Sequence, residues 1–336
     1  MNTQNKSLDK LWKRGTDFLG SRYAIMCGAM SWVSEHNLVA AVSNAGGFGI
    51  LACGSLNAKQ LHQEIKRTKE KTSKPFGVNL ITMHPQILEL IETCLLEKIG
   101  HIVLAGGLPR LSMIQKIKDG GAKVICFAPS LPLAKRLIKN GTDALVIEGM
   151  EAGGHIGPVA TSVLAQEILL NVKEVPVFVG GGIGRGETIL TYLRMGAAGC
   201  QLGTKFVCAH ESQAHQNFKT AFIKASSRSA VVSTQVDPNF AVIPVRALAN
   251  KATDEFLKTQ ISAIEKYKSN QLSKMDAQLM IEKFWAGALR KAVVDGDVEN
   301  GSLMAGQSVG LVTKEQSTQE IITELVEQAL ACLDTV

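Results

Sequence analysis

Ten residues carry the densest chemistry in this chain: Glu148-Gly149-Met150-Glu151-Ala152-Gly153-Gly154-His155-Ile156-Gly157. Two carboxylates and one imidazole stand among glycines. Of seven histidines, only His155 has glycine at −1 and at +2. Imidazole exchanges protons near neutral pH, as general acid–base catalysis requires. A lone histidine is more often structural; this one, set in a glycine-rich turn, is the candidate proton donor or acceptor. The other six, His36, His62, His84, His101, His210 and His215, have surface or helix contexts and receive no role.

Two further glycine-rich stretches read as anion cradles. They are Gly180-Gly181-Gly182-Ile183-Gly184 and Gln201-Leu202-Gly203-Thr204. Glycine lets successive backbone N–H groups converge on one phosphate, and Thr204 adds a hydroxyl. A phosphate-bearing cofactor is the expected tenant. Gly28-Ala29-Met30 and Gly77-Val78-Asn79 follow or end two other apolar runs, and the Asn79 amide can both donate and accept toward a planar heterocycle. No metal is expected, because there is no His-x-Glu motif and no clustered Asp/His set.

These segments recur at the ends of short apolar runs, eight of which read as strands: 24–26, 49–51, 76–79, 102–104, 124–127, 144–147, 177–179 and 199–202. Their centres lie at 25, 50, 77, 103, 125, 146, 178 and 201, and each gap holds one crossover helix. Helices read at 58–69, 86–96, 112–118 and 132–139. Eight strand–helix units predict a (β/α)8 TIM barrel in preference to a doubly wound sheet. In such a barrel ligands gather at the carboxyl ends of the strands, where the glycine-rich stretches fall. Residues 1–210 plus 296–336 are expected to form the barrel. Residues 211–295 are expected to form an inserted helical subdomain or lid near the C-terminus, with helices at 212–225, 254–268 and 274–290 and a β-like stretch over 229–245. Its apolar positions suit a lid or a homodimer surface.

Composition narrows the classes. The 36 Lys and Arg exceed the 30 Asp and Glu by six, but the basic residues lie in helix-like stretches and aromatics are only 5%, so nucleic acid is not an expected partner. The cysteines number seven with no Cys-x-x-Cys pair, which points away from disulfides and zinc; Cys126 and Cys200 read as core thiols. No apolar run is long enough for a membrane helix, the first residues lack a secretion-signal core, and the expected location is cytoplasmic.

In this order, Gly28-Ala29-Met30, Phe76-Gly77-Val78-Asn79, Glu151 to His155, Gly181-Gly182-Ile183, Gln201 to Thr204 and Met304-Ala305-Gly306-Gln307 resemble the nitronate monooxygenase (2-nitropropane dioxygenase) family, which includes the FMN-dependent enoyl-acyl-carrier-protein reductase II branch. The resemblance spans about residues 20 to 330. It implies a barrel with FMN at its mouth, lined by Ala29, Met30, Asn79, Glu148, Gly153, Gly154, Gly181, Gly182, Gln201, Gly203 and Thr204, with His155 catalytic. It implies a small-molecule substrate: a nitronate oxidised with O2, or an enoyl thioester reduced with NAD(P)H as co-substrate. Glu148 and Ile156 stand where nitronate oxidisers often carry Gln and Arg, and they look more like the reductase branch. The frequency of nitronate oxidisers in the family makes nitronate monooxygenase the first expectation and enoyl reduction the alternative.

Overall fold

The computed structural model describes residues 3–240 and 242–333. Eight parallel strands close into a barrel: β1 (Ile25–Cys27), β2 (Phe48–Ala52), β3 (Gly77–Ile81), β4 (His101–Ala105), β5 (Lys123–Phe127), β6 (Ala144–Glu148), β8 (Val177–Gly180) and β9 (Gly199–Leu202). The short β7 (Gly154–His155) lies outside this sheet, so β6 pairs directly with β8. Closure comes from β1 against β9, with Ile25 opposite Cys200 and Cys27 opposite Leu202. The strands are near-continuous apolar runs because helices cover their outer face and side chains fill the interior. Cys126 and Cys200 are fully buried, and burial pushes the Cys126 thiol up to about 11. None of the seven cysteines is in a disulfide.

The helix Thr3–Leu19, not anticipated from its polar sequence, buries Leu8, Trp12 and Leu19. Its Phe18 carbonyl accepts from His101 Nε2 at 2.9 Å and Lys123 Nζ at 2.7 Å, two residues that begin β4 and β5. The helix therefore docks at the amino ends of the strands, opposite the mouth. Burial pushes His101 down to about 4, which keeps the imidazole neutral and its N–H on the carbonyl. At the other end of the chain, Thr318–Ala331 starts with a Ser317/Glu320 capping box and packs on Gly186–Arg194, where a side chain at Gly186 would strike the Leu325 carbonyl.

Between β9 and the last helix the chain builds a second layer. The strands β10 (Ala230–Val232) and β11 (Val245–Leu248) form an antiparallel sheet with β7 in the order β10-β11-β7. Helices Lys251–Lys268 and Lys274–Val293 pack together over a separate apolar cluster of Phe240, Val245, Phe256, Ile264, Ile281 and Trp285. Phe256 and Trp285 stack with centroids 4.1 Å apart. The preceding helix, Gln216–Lys224, instead sends Phe218 and Phe222 into the barrel's own core.

Candidate active site

The mouth of the barrel gathers most of the predicted residues. Glu148 is the last residue of β6 and sits opposite Gly180 in the sheet register. Its carboxylate accepts from Gln201 Nε2 at 3.3 Å. Glu148 is densely surrounded by protein atoms and keeps a small exposed surface. Burial pushes its pKa up to about 7, against the lowering pull of the Gln201 hydrogen bond and the nearby His155. Gly28, just after β1, lies against the Gln201 side chain.

The glycine loops interlock. Gly181 and Gly182 adopt φ of +94° and +75°, which only glycine accepts at low cost, and a β-carbon at either would press on Ala152 at 3.2 Å or Glu151 at 2.9 Å. Gly153 packs against Ala305 and Gly306, with 2.5 Å from a β-carbon position to the Gly306 nitrogen. Thr204 Oγ1 accepts from Gly306 N–H at 3.0 Å, which ties the 304–307 segment to the β9 loop. Met30 covers Gly203. The backbone N–H groups of Gly181, Gly182, Gly203 and Thr204 donate to no other group of the described chain. Two loops thus present free donors at one rim, the requirement for holding a phosphate.

Asn79 differs from expectation in one respect. It lies inside β3, not at its end, because Leu80 and Ile81 continue the pairing with Leu104 and Ala105. It is almost buried, and its amide has no hydrogen-bond partner among the described residues. Neither Asn79 nor Ala29 is hydrogen-bonded to the other predicted residues.

The His155 loop is held from outside the barrel. His155 pairs with Val245 and Gly154 with Arg246 across the β7–β11 ladder, and Ile156 N–H donates to the Pro244 carbonyl at 2.9 Å. Arg246, only 3% exposed, donates from Nε to the Met150 carbonyl at 2.9 Å and from its guanidinium to the Ala230 carbonyl. Burial lowers its pKa, while Glu151 opposes this. Glu151 itself accepts from Thr161 N–H at 2.8 Å and Thr161 Oγ1 at 2.7 Å, capping the next helix. Glu151 is therefore a loop anchor. His155 stays exposed, and its Nε2 lies 3.2 Å from Glu282 on the helix Lys274–Val293. Sequence reasoning missed Arg246 and Glu282, since neither lies near His155 in the chain or in a motif.

Among the described residues, one group could hold a metal ion: Glu35, His36 and Glu64, with His36 Nδ1 2.9 Å from both carboxylates. Glu35 also caps the helix His36–Asn44 through Asn37 and Leu38 N–H. None of the three is a predicted site residue.

Comparison with known proteins fits this geometry. The family model described as nitronate monooxygenase matches residues 13–97 and 89–328. The chain belongs to the nitronate monooxygenase family. A Mycobacterium tuberculosis relative, (3aS,4S,5R,7aS)-5-hydroxy-7a-methyl-1-oxo-octahydro-1H-indene-4-carboxyl-CoA dehydrogenase, is 30% identical, with 95% of this chain and 96% of that protein covered. A Staphylococcus aureus protein named probable nitronate monooxygenase is 26% identical over 95% of this chain and 98% of its own. The solved structure of FabK from Thermotoga maritima superposes with TM-score 0.85 at 34% identity, covering 96% of this chain and 97% of that one. The protein is an oxidoreductase with a (β/α)8 barrel, acting on small molecules. No helix of the described residues is long and apolar enough to cross a membrane.

Proposed function

We propose that the chain is an FMN-dependent oxidoreductase of acyl thioesters that reduces the α,β double bond with NAD(P)H. The donor set fits FMN. The free N–H groups of Gly181, Gly182, Gly203 and Thr204 suit its phosphate, and the unpaired Asn79 amide suits the edge of a planar ring. When bound, FMN supplies two-electron hydride chemistry at the mouth. In the net reaction one hydride equivalent from NAD(P)H reaches the β carbon and one proton reaches the α carbon. His155 holds and delivers that proton. Gln201 holds the Glu148 carboxyl, and the β7–β11 ladder holds the backbone of His155.

The observation that carries the thioester reading is the charge around His155. Glu282 lies 3.2 Å from its Nε2 and Glu148 interacts with it from the barrel side. A neutral thioester carbonyl tolerates the Glu282 carboxylate and a partly ionised Glu148, whereas an anionic nitronate is repelled by their negative charge. The similarity to FabK and to the carboxyl-CoA dehydrogenase supports the same class. Nitronate oxidation with O2 is the second reading, favoured by the family match and by the Staphylococcus relatives. Steady-state turnover separates the two. NADH consumption with crotonyl-CoA should exceed oxygen consumption with ethylnitronate, and both should fall by roughly 10²–10⁴-fold in His155→Ala, leaving a measurable residual rate. Oxygen uptake with ethylnitronate and no crotonyl-CoA reduction would establish the second reading.

A further inference from the structure

The helix Lys274–Val293 touches two rim loops. Glu282 meets His155 in the loop after β6, and Arg290 places its guanidinium 5.9 Å from the Trp32 ring in the loop after β1. The contacts are eight residues apart, about 12 Å along a helix. Trp32 holds a left-handed φ of +66°, costly for a bulky residue, and its buried indole N–H has no partner among the described residues. One face of the helix is fixed by Ala277, Ile281, Trp285 and Ala288, all buried beneath it. Glu282 adjoins Ile281, so the packing that anchors the helix also sets the height of its carboxylate above His155.

We propose that Glu282 is a positioning residue for His155, so that the inserted helices complete the active site and do not merely cover it. The pair is a close charge contact at 3.2 Å, and a carboxylate, which can only accept, favours the tautomer with the ring's proton on Nε2. Nδ1, which has no hydrogen bond among the described residues, is then the nitrogen left to exchange a proton with substrate. A third group orienting a catalytic base is a recurring arrangement. Here it comes from a different structural layer than the base it orients. This inference rests on the proton-transfer role given to His155 above.

The test uses the flavin-loaded full chain and three readouts. Glu282→Ala should lower kcat by about tenfold or more, within the roughly 10²–10⁴ that a positioned acid–base group contributes, while KM and flavin content hold. Glu282→Gln, which keeps an acceptor oxygen, should recover most of the rate. In a His155→Ala background, Glu282→Ala should cost nothing further, because two residues acting as one unit are not additive. Full activity in Glu282→Ala, or the same loss with and without His155, would overturn the proposal. The third readout is independent of turnover. Ring-nitrogen NMR of histidine-labelled protein should show His155 protonated at Nε2, with that preference lost in Glu282→Ala. If the enzyme turns over neither thioester nor nitronate but the tautomer still responds to Glu282, the functional reading fails and the positioning stands. If the tautomer does not respond, the positioning fails whatever the substrate.

Discussion

Among the candidate site residues, Glu148 is the one whose environment departs furthest from its ordinary chemistry. Burial raises its pKa from 4.5 to about 7. Between those values the folded chain retains a proton that the unfolded chain has released. Stability from this group therefore falls as pH rises through that window, and the penalty levels off above it at roughly 3 kcal/mol. Glu148→Gln should remove the slope. Denaturant unfolding of cofactor-free protein should find the variant more stable than the parent at pH 8 and nearly equal at pH 4. A parent profile flat from pH 4 to 8 would contradict the assignment. Thr204 makes a separate prediction. Its oxygen accepts from Gly306, leaving its hydroxyl proton for a phosphate. Thr204→Val should weaken flavin retention by about 1–3 kcal/mol, measured as a Kd, and Thr204→Ser should restore it. Unchanged affinity in Thr204→Val would remove it from the site. These residues were legible in the sequence because glycine marked them: Gly153, Gly154, Gly181, Gly182 and Gly203 all lie where a side chain would collide or strain the turn or crowd Met30. Glu282 and Arg246 were not legible, since their partners come from distant parts of the chain.

At the scale of elements, the β7-β11-β10 sheet is the device that carries His155. A two-residue strand has no periodicity to read, and its existence depends on β11, about ninety residues on in the chain. The β-like stretch at 229–245 was visible, but its partner was not. Arg246 is the rivet: one buried guanidinium serves the Met150 and Ala230 carbonyls. Arg246→Met keeps the bulk and leaves both carbonyls unpaired, at about 1–3 kcal/mol each in a buried setting. Hydrogen exchange should quicken in residues 150–156 and 230–232 and leave β1 to β5 protected. Uniform exchange with that of the parent would show that the loop is held by other means. The barrel strands themselves were legible to within a residue or two at each end, because parallel strands buried on both faces are apolar runs. The first helix was hidden by its polar surface, with Leu8, Trp12 and Leu19 the only strongly apolar face it needs.

At the scale of the molecule, two apolar cores are stacked. The barrel core is continuous around the closed sheet, while the cluster of Phe240, Phe256, Ile281 and Trp285 belongs to the inserted layer. We propose that the layer including the helices Lys251–Lys268 and Lys274–Val293 acts as a semi-independent unit, with Phe218 and Phe222 of the preceding helix belonging to the barrel. A smaller core opens more easily than a larger one, so those two helices should exchange amide protons before the barrel strands do. Simultaneous exchange would mean one cooperative unit. A layer that supplies Glu282 to the site and can open locally would couple substrate entry to the geometry of His155.

The central claim concerns electron flow toward an acyl thioester, and one anaerobic absorbance experiment reaches it most directly. The purified protein should be yellow, and NADH should bleach it without oxygen. Crotonyl-CoA added to the bleached protein should restore the flavin colour in a single turnover, with His155→Ala bleaching normally and failing to recover. A protein that ignores NADH and bleaches only with ethylnitronate would contradict the account and establish nitronate oxidation.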